Sequence, residues 1–67
     1  MARIHAYDKT RKVVYIELKY VEEDRVLCEV YKTSTSKLPI HKFYITDYDY
    51  HMNVLNALDS VAKMSFK

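Results

Sequence analysis

The chain has 67 residues, 49% hydrophobic and 30% charged, with a formal net charge of +2. That composition is globular rather than disordered, and its positive balance is too small to imply nucleic-acid binding from bulk charge. One cysteine excludes an internal disulfide, and the absence of glycine excludes glycine-rich phosphate cradles. No apolar run approaches the ~18 residues of a membrane span.

A single domain over 1–67 is expected, with no linker or internal repeat. A domain of this size buries only roughly 60% of the surface its unfolded chain exposes. Small domains compensate with disulfides, a metal or oligomerisation. The N-terminus, Met1-Ala2-Arg3-Ile4-His5, lacks the apolar stretch of a signal peptide, so a cytoplasmic location with Cys28 reduced is expected. Abundant Lys and Tyr with scarce Gly, Pro and Ala point to an AT-rich genome, such as that of a low-GC bacterium or its phage.

Period-two alternation organises the first two-thirds of the chain. Ile4 and Ala6 alternate with Arg3, His5 and Tyr7, which predicts a strand over about 3–7. After a short connection from Asp8 to Lys12, Val14, Ile16, Leu18 and Tyr20 alternate with Val13, Tyr15, Glu17 and Lys19, giving a strand over about 13–20. A turn over Val21–Asp24 leads to a third strand over about 26–32, where Val26, Cys28 and Val30 share one face. Reading 13–31 as one long helix fits less well, because the segment is rich in β-branched and aromatic residues. Thr33-Ser34-Thr35-Ser36, with Lys37 and Pro39, marks the longest loop. Phe43 and Ile45 then set a strand over about 42–46. Without glycine, tight turns that demand positive φ should be rare.

The period changes after Thr46. Val54, Leu55, Leu58, Val61 and Ala62 recur at three and four, with Ala57 and Met64 beside them, which predicts a helix over about 48–64. Thr46 with Asp49 resembles a capping box, and Asp47 is an alternative cap. Short connections imply antiparallel hairpins. The expected fold is α+β: a four-stranded antiparallel meander with one C-terminal helix packed on one face. In outline this resembles the single-strand-binding coactivator fold, which dimerises through its helix, and small phage inhibitors share the same outline.

Two surfaces follow from the meander. The first turn, with Lys9, Arg11 and Lys12, and the long loop, with Lys32, Lys37 and His41, fall at one end together with Lys63 and Lys67. Glu22, Glu23, Asp24, Asp47 and Asp49 fall at the other. The basic end, carried by Lys9, Arg11, Lys12 and Lys37, suits phosphates or an acidic protein surface. The sheet face away from the helix carries Arg3, His5, Tyr7, Tyr15, Lys19, Leu27, Tyr31, Lys42 and Tyr44. Rings interleaved with cations suit a protein interface or a single-strand stacking platform, and they also stabilise an exposed sheet with no partner at all. Of these, Arg3, Tyr7, Tyr15, Lys19, Tyr31, Lys42 and Tyr44 are the candidate contacts.

Catalytic and metal signatures are not apparent. Cys28 falls on the inward face as a structural thiol, and His5, His41 and His51 lack ligand spacing. Ser34 and Ser36 sit in a loop with no glycine turn to present a hydroxyl. Asp47 and Asp49 read as helix caps. One helix about 10 Å across should cover roughly half of a sheet near 19 Å wide, so a second subunit is expected to cover the remainder as a homodimer. The chain also looks too small to enclose a substrate pocket of normal volume. The expected function is therefore a non-enzymatic, self-associating interaction module, a regulator or inhibitor that occludes a partner surface. The alternative is single-strand binding on the Tyr/Lys face. No cofactor is expected, and no membrane.

Overall fold

Alternating apolar residues become four strands in the computed structural model, which describes residues 3–22, 25–46 and 49–66. They are β1 (Ile4–Tyr7), β2 (Val13–Glu22), β3 (Arg25–Tyr31) and β4 (His41–Ile45), followed by helix α1 (Tyr50–Ala62). The strands form one antiparallel sheet in the order β1-β2-β3-β4. The fold is thus α+β, a meander with a C-terminal helix packed against it.

Register explains the two faces. Ile16 pairs with Ile4 and Val30, and Leu18 opposes Cys28, which opposes Phe43. These rows point inward, and Ala6, Ile16, Cys28 and Val30 are essentially inaccessible to solvent. Each fully buried side chain of Val or Ile size contributes about 1.5–3 kcal/mol. The outward rows are His5–Tyr15–Tyr31, Glu17–Glu29–Lys42 and Lys19–Leu27–Tyr44.

β2 runs two residues past its expected end. Tyr20 pairs with Val26 and Glu22 with Arg25, so Val21 is the extra residue of a bulge. The bulge interrupts the inward–outward alternation and leaves Tyr20 and Val21 both exposed. The acidic residues expected at this turn, Glu23 and Asp24, lie outside the described residues, as do Asp47, Tyr48 and Lys67.

The helix starts later than expected, and its inward stripe keeps Val54, Ala57, Leu58 and Val61 but is rotated toward Asn53. Its cap is Asp49, in extended conformation, whose carboxylate accepts a hydrogen bond from the His51 N–H at 3.0 Å. Thr46 does not occupy that position, and the alternative cap, Asp47, lies outside the described residues. The buried residues are Asn53, Ala57 and Val61, spaced four apart, with Val54 and Leu58 partly buried. Leu55 and Ala62, expected within the apolar stripe, are exposed. The inward stripe runs through Asn53, a polar residue that an apolar periodicity passes over.

The helix approaches both edge strands, β1 and β4, and so crosses the sheet. Beyond it the chain turns back: the Lys9 N–H donates to the Met64 carbonyl at 2.8 Å, and Phe66 packs on the core, its ring 5.7 Å from that of His41. The tail thus adds cover beyond that of the helix, while Ile4 and Phe43 on the inner face stay only partly buried.

Candidate functional site

The outer face is occupied by its own charges. Glu17 and Glu29 face each other across β2 and β3, a like-charge pairing that is unfavourable by itself. Each is answered by a cation. The Lys19 Nζ lies 2.7 Å from Glu29 Oε1, and the Arg3 Nε lies 3.9 Å from Glu17 Oε1. The Lys19 ammonium holds the Glu29 carboxyl below its ordinary range, and Glu29 in turn raises Lys19. The Tyr31 hydroxyl donates to Glu29 Oε1 at 3.3 Å, and burial, with the Glu29 charge, raises the phenol's pKa. Both Glu carboxylates follow from the same alternation that places Tyr15 and Lys19 outward, although neither is among the expected contacts.

The candidate contacts therefore divide. Tyr31 is buried beneath Arg3, whose guanidinium lies 3.6 Å from the ring centre and donates to the Thr33 and Ser36 carbonyls. Tyr15 is half-buried with its ring 5.5 Å from His5. Lys19 is paired and Lys42 flanks Glu29. Tyr7 and Tyr44 remain exposed, at the end of β1 and near the end of β4, which are opposite corners of the sheet. Arg25 sits over the Tyr44 ring at 4.5 Å. A continuous platform of free rings does not form.

The other candidate surface does assemble. The β1–β2 connection and the β3–β4 loop meet at one end of the sheet, called here the upper end. Its turn is built around Asp8, whose Oδ1 accepts from the Thr10 hydroxyl at 2.7 Å, the Thr10 N–H at 2.8 Å and the Lys12 N–H at 3.0 Å. The Thr10 hydroxyl above all, together with those backbone donors, holds this carboxyl below the ordinary carboxylate range. The Asp8 carbonyl accepts from the Arg11 N–H, and Arg11 takes a φ of 65°. That is the left-handed region glycine would normally fill, so the chain makes the turn with a carboxylate clamp and a strained arginine.

Cations gather here without salt bridges. Among the described residues, Arg3, Lys19, Arg25 and Lys63 each form a salt bridge, whereas Lys9, Arg11, Lys12, Lys32 and Lys37, and Lys42 on the outer face, form none, although the Lys12 charge acts on the Asp8 carboxylate. Lys63, expected at the basic end, is held by Asp59 at 3.1 Å.

Between turn, loop and tail lies a cleft of about 530 Å³, whose walls include Asp8, Lys12, Val13, Lys32, Ile40 and Phe66. Its volume is within the range of ligand clefts, about 300–1,000 Å³, but it is a groove open to solvent rather than an enclosed pocket. The tail supplies the missing wall, and no strand pattern foretells it. Asp8 is 4% exposed, and its Oδ2 has no hydrogen-bond donor.

Elsewhere the chemistry is quiet. Burial, with a smaller contribution from Glu29, pushes the Cys28 thiol up to about 12. Among the described residues no group of three or more His, Cys, Asp or Glu could hold a metal ion, and no helix is long and apolar enough to cross a membrane. No protein-family model matches the chain, and neither curated proteins nor solved structures give a significant match.

Proposed function

We propose that the protein is a non-enzymatic interaction module that occludes an acidic surface of a partner protein with the upper end of its sheet. The placement of the cations outside salt bridges carries this reading. Among the described residues, five of the six cations without a salt bridge lie on the turn and loop of the upper end, where Lys12 and Lys32 line a cleft. Such a field speeds encounter with an acidic partner and rejects basic ones. An interface of about 800 Å² per partner would take about one-sixth of the 4836 Å² surface.

Single-strand binding on the outer face has less support. Stacking needs accessible rings, but Tyr31 is covered, Tyr15 is half-buried, and Glu17 and Glu29 place negative charge at the centre of the face.

Fluorescence anisotropy with a labelled Glu-rich peptide tests the proposal. Replacing Lys9, Arg11, Lys12 and Lys37 by Glu should weaken binding about tenfold or more with the fold intact by circular dichroism. Unchanged affinity would remove the proposal. Tighter binding of a labelled mixed-sequence single strand, weakened by Tyr15→Ala or Tyr44→Ala, would put the outer-face reading in its place.

A further inference from the structure

We infer that the upper cleft grips the partner by one large apolar side chain, of leucine or phenylalanine size, set between acidic residues of a single segment. This rests on the reading of the upper end as a binder of acidic protein surfaces, and it adds the contact that gives that binding its specificity.

Two inward rows of the sheet end in cations here. In β2 the buried row Val14–Ile16–Leu18 is preceded, at the same spacing, by Lys12, and in β3 the row Val26–Cys28–Val30 is followed by Lys32. Both lysines line the cleft, as does Val14, the first residue of its row, and neither lysine forms a salt bridge. A lysine joins an apolar stem to a charged head. The cleft therefore lies where the core gives way to positive charge.

Its apolar part is left wet. Val13 and Ile40, which line it together with Phe66, are 41% and 44% exposed. The volume of about 530 Å³, open to solvent, leaves room for an entering side chain with its adjoining backbone. Acidic residues alone would meet Lys12 and Lys32 but leave Val13 and Ile40 exposed. An apolar residue in a neutral segment would cover the walls and gain nothing from the lysines. Only a segment that carries both uses both. Asp8 also lines the cleft, but it is 4% exposed and its Oδ1 is held by the turn, so it presents little to an incoming carboxylate.

Leu38 is the rival anchor. It is apolar, 81% exposed and on the same loop as Ile40, yet it is not among the residues that line the cleft. A lone exposed leucine is ordinary on a protein surface, whereas three apolar walls around one groove can enclose a side chain.

The test titrates the whole protein, labelled with nitrogen-15, with Glu-rich peptides that differ only in a central Leu, Phe, Asn or Ala. The Leu and Phe peptides should bind about fivefold or more tightly than the Ala peptide. They should also outbind the Asn peptide, whose central residue is close to leucine in size but polar. The amides of Val13, Lys32, Ile40 and Phe66 should shift further with the Leu peptide than with the Ala peptide. Ile40→Asn should cut the Leu-over-Ala ratio severalfold, while Leu38→Asn should leave that ratio as it is, both variants being folded by circular dichroism. Equal affinity for all four peptides would overturn the anchor and leave the acidic-surface reading standing. Loss of the ratio in Leu38→Asn but not in Ile40→Asn would overturn its place in the cleft. Octanoate binding at the same amides as tightly as the Leu peptide would make this a small-carboxylate site and overturn the protein anchor. Binding of no acidic peptide would overturn the acidic-surface reading as well.

Discussion

The guanidinium of Arg3 lies over the Tyr31 ring, 3.6 Å from its centre, and from there donates to the carbonyls of Thr33 and Ser36. One side chain thus fastens the start of β1 to the loop that follows β3. The loop is itself cross-linked, with Thr33 and Ser36 hydroxyl oxygens 2.6 Å apart. Arg3→Ala should cost about 2 kcal/mol in urea unfolding, the sum of a partly desolvated cation–π contact and charge-assisted hydrogen bonds. Arg3→Lys should recover less than half of it, because an ammonium cannot stack and fork together. Full recovery by lysine would show that charge alone matters there.

Acid should loosen the outer face through Glu29. Its carboxyl titrates below the ordinary glutamate range because Lys19 and Tyr31 hydrogen-bond the ionised form. A depressed folded-state value contributes stability above about pH 4.3, and that contribution is lost as pH falls through the depressed value. Asp8 acts in the same direction. Glu29→Gln should therefore be less stable at pH 7 by about 1 kcal/mol after solvent screening. It should also lose less stability than the parent between about pH 5 and pH 2. Parallel stability–pH curves for the two proteins would contradict this.

Arg11 opposes stability to function. Its φ of 65° suits glycine, so Arg11→Gly should raise stability by about 0.5–1 kcal/mol once the larger unfolded-state entropy of glycine is subtracted. The same change removes an unpaired cation from the upper end and should weaken binding of a Glu-rich peptide. Thermal melts and anisotropy on one sample read both. A variant that is less stable would mean the arginine side chain holds the turn.

Cys28 should be inert in the folded protein. With no solvent exposure and a thiol pushed up to about 12, it should react with an aromatic disulfide reagent at pH 8 only through opening of the sheet. The rate should rise with urea in step with unfolding. Rapid labelling in buffer alone would contradict the burial of Cys28 in the core.

Much of the fold is legible in the sequence because antiparallel strands with one wet face write their register into it. Ile16, Cys28 and Val30 are inward by alternation, and they are the most buried positions in the sheet. The bulge at Val21 is not legible, since an extra residue breaks the very period used to find strands. Nor is the inward turn of Asn53, because burial there depends on tertiary surroundings rather than on hydrophobicity. The basic end follows from topology, as two connections of a meander share one side. The cleft does not, because Ser65 and Phe66 come from the far end of the chain and their return across the core leaves no periodic trace. Arg3 and Tyr31 read as free contacts while their strands are considered singly, and become a closed pair only when the loop is folded over them.

Helix α1 follows all four strands in the chain, yet Ala57 and Val61 seal the layer those strands build. The meander can pair hairpin by hairpin, each closure spanning few residues and proceeding quickly. Until the helix docks, however, Ile16, Cys28 and Val30 lie open on one side of a bare sheet. A folding intermediate with the sheet paired and the helix undocked is therefore the species open to proteases and to sticking, and docking removes that exposure in one step.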